Sequence, residues 1–219
     1  MDLKEREIMK RLANRKKSGY LLHTYNRAPI SFVEGKGVWL IDEKGERYLD
    51  IATGIAVNSL GHGHPQLVKA LNSQATKLWH TSNLYNVPNQ EELAKLLVDQ
   101  TFAEKVFFTN SGAESIECAI KMARRYFFSM GQKAKNKIIT FKGCFHGRTI
   151  GTIAAAGSKK LLEGFGPKAS GFNSEKIEEL ETLEKRITKR TCAILIEPIL
   201  GEGGIISISG KLLNNLKKL

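Results

Sequence analysis

The chain has 219 residues, enough to bury a sizeable core as one domain or as a large domain with a small one. With 42% hydrophobic residues, disorder is excluded as the default state. The formal net charge is +12, but its lysines and arginines are spread along the chain without a nucleic-acid motif, so a positive field for anionic small molecules is expected rather than a nucleic-acid partner.

Residues 2–17 have the pattern of a charged amphipathic helix, and this start lacks the apolar stretch of a signal peptide. No apolar run approaches the length of a membrane span, so the expectation is a cytosolic protein without a membrane partner. Residues 30–50, ISFVEGKGVWLIDEKGERYLD, contain β-rich runs at 30–33 and 38–42 separated by Glu34, Gly35, Lys36 and Gly37. A third run follows the turn at Glu43, Lys44 and Gly45, which predicts a small antiparallel meander. Gly61-His62-Gly63-His64-Pro65 then breaks the chain. Pro65 can open a helix whose apolar face carries Leu67, Val68, Leu71, Ala75 and Leu78, and a second helix is predicted over 91–100.

From Lys105 onward the pattern alternates. Strands are predicted at 106–108, 138–141 and 193–196, and helices at 115–130 and 175–186. Continuous apolar strands between helices point to an α/β fold, a mainly parallel sheet flanked by helices. Cys118, Cys144 and Cys192 have no CxxC spacing, so neither a zinc site nor a disulfide framework is expected, and small buried apolar side chains are the simpler reading.

Three loops carry chemistry, each after a predicted strand. In the first, Ser111, Gly112 and Ala113 lead into a helix. Small residues at a helix N-terminus let backbone N–H groups approach an anion, so a phosphate fits there, although a Ser-Gly junction serves equally well for capping alone. In the second, residues 141–149 read FKGCFHGRT. Phe145 can stack on a planar heteroaromatic ring and Arg148 can fork a carboxylate, but an isolated FHGR is equally a packed Phe and a solvated Arg. In the third, residues 194–205 read ILIEPILGEGGI. They place Glu197 and Glu202 at the sheet edge, where either can neutralise an arginine or orient a bound group, or simply meet water. GEGG is not a dinucleotide fingerprint, because no helix-opening GxGxxG is present.

Taken together and in order, NSGAE, FHGRT and EPxxGEGGI make the chain resemble the class III pyridoxal-phosphate aminotransferases, from about Tyr20 to Leu219. TYNRAPISFVEGKGVWLID, DIATGIAVNSLGHGHP and LWHTSNLY resemble the branch that transfers an amino group from N-acetylornithine to 2-oxoglutarate in arginine biosynthesis, with ornithine and succinylornithine as the alternative donors. The resemblance implies fold type I architecture, with residues 1–60 in a small N-terminal domain and 61–219 in an incomplete large domain. It implies pyridoxal 5'-phosphate as cofactor, an amino acid and a 2-oxo acid as small-molecule partners, and a homodimer. It assigns the cofactor phosphate to Ser111, Gly112 and Ala113, and the face of the pyridine ring to Phe145. It assigns the substrate α-carboxylate to Arg148, the pocket wall to Tyr25, and an arginine-pairing role to Glu202 when the dicarboxylate is absent. His146 is expected to be structural. One departure is Leu200, where the family usually has Gln.

The family's Schiff-base lysine, and the acid that faces the pyridine nitrogen, follow GEGGI. Here GEGGI is followed by ISISGKLLNNLKKL. The expectation is a truncated chain, inactive alone, with no catalytic residue assigned. Three forms are open: a decayed gene product, half of a split enzyme completed by a C-terminal polypeptide, or a non-catalytic cofactor-binding protein. An exposed sheet edge and uncovered apolar surface are expected in each.

Overall fold

The computed structural model describes residues 20–218 together with Glu5 and Glu7. Apart from those two, the helix expected over 2–17 lies outside the described residues. The chain forms two compact units, Met1–Pro88 and Asn89–Leu219.

The first unit is built on the expected meander, β1 (Phe32–Lys36), β2 (Trp39–Asp42) and β3 (Arg47–Leu49), antiparallel in that order. Strand β1 starts and ends later than predicted and runs through Glu34, Gly35 and Lys36, with Lys36 opposite Trp39. The turn is correspondingly tight, and Gly37 takes φ +58°. At the next turn Asp42 Oδ1 accepts the N–H groups of Lys44 and Glu46, both at 2.9 Å.

The GHGHP segment is tied to this meander. Gly37 and His62 exchange backbone hydrogen bonds of 2.9 and 2.7 Å. A Cβ added to Gly35 would lie 2.5 Å from the His62 ring, so only glycine fits under it. His62 Nε2 lies 2.8 Å from Asp50 Oδ2, and Asp50 Oδ1 accepts the Thr53 N–H at 2.7 Å. The turn Thr53–Ala56 is left-handed: Thr53, Gly54, Ile55 and Ala56 have φ of 49°, 63°, 61° and 61°. Helix α1 (Pro65–Ala75) opens with Pro65 in its first turn, as predicted, but stops before Leu78.

The second unit begins within α2 (Pro88–Gln100), which Pro88 opens earlier than predicted. It continues with α3 (Gly112–Ser129), β4 (Lys137–Phe141), α4 (Ile150–Ala156), α5 (Lys159–Leu162) and β5 (Phe172–Glu175). A 3-10 helix (Ile177–Arg186), β6 (Thr191–Ile194), the hairpin β7 (Ile199–Leu200) and β8 (Ile206–Ser207), and α6 (Gly210–Leu216) complete it. The sheet order is β5-β4-β6, with both pairings parallel, so the parallel α/β expectation holds.

Central β4 is the most buried element: Ile138, Ile139, Thr140 and Phe141 are at most 2% exposed. On one side α4 buries Ile153, Ala154, Ala155 and Ala156. Alanines let a helix axis approach a sheet closely. Elsewhere Ile139, Phe141, Cys144, Leu183, Leu200 and Ile208 form a continuous apolar cluster.

Two expectations are corrected. Residues 106–108 are not a strand: among the described residues nothing pairs with them, and Phe107 is 69% exposed. Residues 177–186 form a 3-10 helix rather than an α-helix. The uncovered apolar surface is present: Ile51, Ile55, Trp79 and Phe102 are 87–95% exposed. No helix among the described residues is long and apolar enough to cross a membrane.

The Asp50 carboxyl is held below its ordinary value of 3.8, first by the His62 hydrogen bond and next by the Thr53 amide. A carboxyl whose folded value is depressed stabilises the fold above the unfolded value, and that contribution is lost as pH falls through the folded value. Both tryptophans, Trp39 and Trp79, lie in the first unit, so their fluorescence reports on it. Its urea midpoint should fall on acidification below about pH 4. Asp50→Asn should lower the midpoint at neutral pH and flatten that acid decline. Superimposable midpoint–pH curves for the two proteins would show that Asp50 does not anchor this unit.

Candidate functional site

The three chemistry-bearing loops all lie in the second unit, and glycine contacts bring them together. The first is the N-terminus of α3. Ser111 is extended, its Oγ accepts the Glu114 N–H at 3.2 Å, and Glu114 Oε2 accepts the Asn110 N–H at 2.6 Å. This reciprocal cap satisfies the helix end without using the amides of Gly112 and Ala113. The space above Gly112 is open, and the helix dipole adds partial positive charge there. The geometry suits an anion.

The second loop leaves β4. Gly147 has φ +117°, and a Cβ built on it would sit 2.8 Å from the Ala113 Cβ. The Phe145–Arg148 turn therefore lies directly on the Ser111-Gly112-Ala113 helix end, at a distance that only glycine permits. A second clamp secures it. Thr149 caps α4 through the Thr152 N–H, and its hydroxyl bonds Glu117 of α3. The Glu117 carboxylate lies against Gly151, where a Cβ would be 2.5 Å away.

The third loop leaves β6. Glu197 Oε1 accepts the Phe145 N–H at 3.1 Å, across 52 residues of sequence. Gly203 lies on the Gly143 carbonyl, 2.8 Å from where its Cβ would be. Leu200 is buried in the apolar cluster, so its place in the motif is spent on core packing.

A cavity of about 480 Å³ opens among these loops, lined by Phe145, Arg148, Glu202, Lys142, Lys159 and Leu161 with small neighbours. The Arg148 guanidinium lies 5.6 Å from the Phe145 ring centroid, in cation–π range. The structure thus gathers Phe145, Arg148 and Glu202 around one space, with Ser111, Gly112 and Ala113 at the adjoining helix end. Tyr25 belongs to the first unit, is 74% exposed and carries the Arg27 guanidinium over its ring.

His146 is 4% exposed, its Nε2 has no hydrogen-bond partner among the described residues, and burial pushes its pKa down, so the imidazole is neutral. Burial pushes the Cys144 thiol up, away from the reactive thiolate. Sequence reasoning missed the cavity lysines Lys142 and Lys159, the Glu117–Thr149 clamp, and the backbone partner of Glu197. The only available signal was the strand-to-loop position of Lys142 and Glu197.

Residues 20–219 match the family described as aminotransferase class-III. The chain belongs to the class III aminotransferases. It is 59% identical over 199 residues to acetylornithine aminotransferase of Agrobacterium fabrum, covering 91% of this chain and 50% of that protein. It is 58% identical over the same length to the Mesorhizobium japonicum protein of that name, with the same coverage. Among solved structures, ornithine aminotransferase from Toxoplasma gondii superposes with a TM-score of 0.85 at 26% identity, covering 96% of this chain and 50% of that one. An (S)-enantioselective omega-transaminase from Thermomicrobium roseum gives 0.83 at 28%, covering 95% and 54%. The chain spans about half the length of the curated relatives it matches.

Gly147→Ala should force apart the two loops that meet here. It puts a side chain at φ +117° and into Ala113, and a strained conformation of this kind costs about 1–3 kcal/mol. Urea unfolding followed by far-ultraviolet dichroism should show that loss, and an unchanged midpoint would contradict the close approach.

Proposed function

We propose that this chain supplies the phosphate cradle, ring platform and carboxylate anchor of an acetylornithine aminotransferase, which moves an amino group from N-acetylornithine to 2-oxoglutarate. The carrying observation is the glycine-only approach of Gly147 to Ala113, which sets the Phe145 ring and the Arg148 guanidinium beside an open helix N-terminus. The identity to proteins named acetylornithine aminotransferase favours that donor.

The residues present fit pyridoxal phosphate. The Gly112 and Ala113 amides, with Ser111 beside them, would hold its phosphate, because the cap leaves those donors free and the dipole favours a dianion. Phe145, half-exposed toward the cavity, would lie on a face of the pyridine ring. When bound, the cofactor supplies an electron sink and a carbonyl that takes up the amino group in one half-reaction and returns it in the next. Arg148 would take the carboxylate remote from the reacting carbon in each half, the α-carboxylate of N-acetylornithine and the γ-carboxylate of 2-oxoglutarate, since a guanidinium fork matches a carboxylate in two parallel bonds and an ammonium does not. Glu202 lines the same cavity and would balance the arginine's charge between substrates.

The test joins this chain to the C-terminal half of the Agrobacterium fabrum relative. In the active chimera, Arg148→Lys should lower kcat/KM for N-acetylornithine and 2-oxoglutarate by similar factors, roughly 10- to 100-fold, the worth of a charged hydrogen bond. If both substrates are spared, Arg148 is not the carboxylate anchor. A chimera that prefers ornithine would overturn the donor assignment, because a pocket shaped for a neutral acetamide has little reason to accept a free ammonium.

A further inference from the structure

The loop after β6 carries two glutamates that stand differently to the cavity. Glu202 lines it and Glu197 does not. Glu197 is half-buried and faces the second loop instead: its Oε1 accepts the Phe145 N–H at 3.1 Å, and its Oε2 is buried without a hydrogen-bond partner among the described residues. A carboxylate oxygen removed from water and left unpartnered is unfavourable. Among the described residues the Phe145 amide is the one donor that offsets this burial. Conversely, the Phe145 N–H has no backbone acceptor among the described residues, so the Glu197 side chain is what fixes that peptide.

We propose that Glu197 is a positioning residue for the ring platform: by holding the Cys144–Phe145 peptide it sets the direction in which the Phe145 ring projects toward a planar ligand whose phosphate lies at Gly112 and Ala113. The proposal rests on the aminotransferase reading of this site and deepens it. The held N–H fixes one flank of the turn, and the seat of Gly147 on Ala113 fixes the other, so the short segment between them has little freedom. The anchor is itself secured. The Leu195 N–H bonds the Ile139 carbonyl at 2.8 Å, the Ile208 N–H bonds the Pro198 carbonyl at 2.9 Å, and Pro198 biases Glu197 toward extended backbone. A charged acceptor strengthens the bond to an N–H, so a carboxylate holds this peptide more firmly than an amide would.

The consequence is selective. The amides of Gly112 and Ala113 belong to α3, and Glu197 makes no hydrogen bond to α3 among the described residues. A bare phosphate should therefore be indifferent to Glu197, while a phosphate that carries a ring should not.

The experiment titrates the 219-residue chain with pyridoxamine 5'-phosphate, which has no carbonyl to react with surface lysines, and in parallel with inorganic phosphate, following amide shifts by nuclear magnetic resonance. Glu197→Ala should raise the Kd for pyridoxamine phosphate roughly three- to tenfold, the worth of one ordinary hydrogen bond, and leave the Kd for phosphate unchanged. Glu197→Gln keeps an acceptor for the Phe145 amide and should recover most of that loss. On a Phe145→Ala background, Glu197→Ala should add nothing, because the carboxylate acts through that ring. The proposal is overturned if Glu197→Ala spares both ligands, weakens both equally, or costs further affinity when Phe145 is already alanine. The underlying reading fails in a different way. If Phe145→Ala weakens pyridoxamine phosphate and Glu197→Ala does not, the ring platform stands and the positioning role fails. If Phe145→Ala leaves that Kd unchanged, or the wild-type chain does not bind pyridoxamine phosphate more tightly than phosphate, the platform itself fails and the proposal with it.

Discussion

The parallel pairing of Lys137–Phe141 on both of its edges is the constraint from which the site follows. The Ile138 N–H reaches the Gly171 carbonyl and the Leu195 N–H reaches the Ile139 carbonyl, both at 2.8 Å. Because the strands run the same way, β4 and β6 release their chains at the same edge of the sheet, where open α/β folds place their ligands. The loops after them can therefore meet, and Glu197 reaches the Phe145 amide. β4 is buried on both faces, so a one-residue slip would exchange the side chains packed on each, and register and site geometry are fixed together.

Close contact then depends on which positions lack a side chain. Gly147 on Ala113 and Gly203 on Gly143 set the spacing of the three loops, and a methyl group at either would push them apart. Leu200 adds an apolar contribution. It packs with Ile139, Phe141 and Cys144, where the family's usual glutamine amide would need hydrogen-bond partners or incur a desolvation penalty of about 1–3 kcal/mol. The departure from the family motif is thus compatible with the loop geometry, because the position faces the core and not the cavity.

Much of this was legible in the sequence, and what was not has physical causes. The three motifs could be read because a strand, a small-residue turn and a helix or an acidic loop each leave local marks. The meander was visible through Gly37 and Gly45. Residues 106–108 were misread because an apolar run reports burial tendency and not the presence of a pairing strand, and here Phe107 is exposed. Helix α4 was missed because IGTIAAA is too short for a period and owes its burial to small side chains. The Glu197–Phe145 bond and the gathering of Lys142 and Lys159 depend on contacts between distant segments, which no local pattern encodes. The left-handed turn was hidden as well, since Thr53 and Ile55 are β-branched residues that ordinarily argue against such φ values.

That turn shows how the first unit holds a conformation its residues disfavour. Three non-glycine residues in the left-handed region cost roughly 1–2 kcal/mol each. Local propensity opposes the turn, so the surrounding structure must impose it. The surroundings supply one fixed point at its entry: Asp50, leaving β3, accepts the Thr53 amide with one oxygen and meets His62 with the other. His62 is held in turn by its paired backbone bonds to Gly37 and by the absence of a side chain at Gly35. The entry of the turn is thus tied to the meander through Asp50 and His62. Ile55 within the turn and Val57 after it stand outward, 88% and 77% exposed. The Asp50–His62 pair is therefore the link between the β-meander and the entry of this turn.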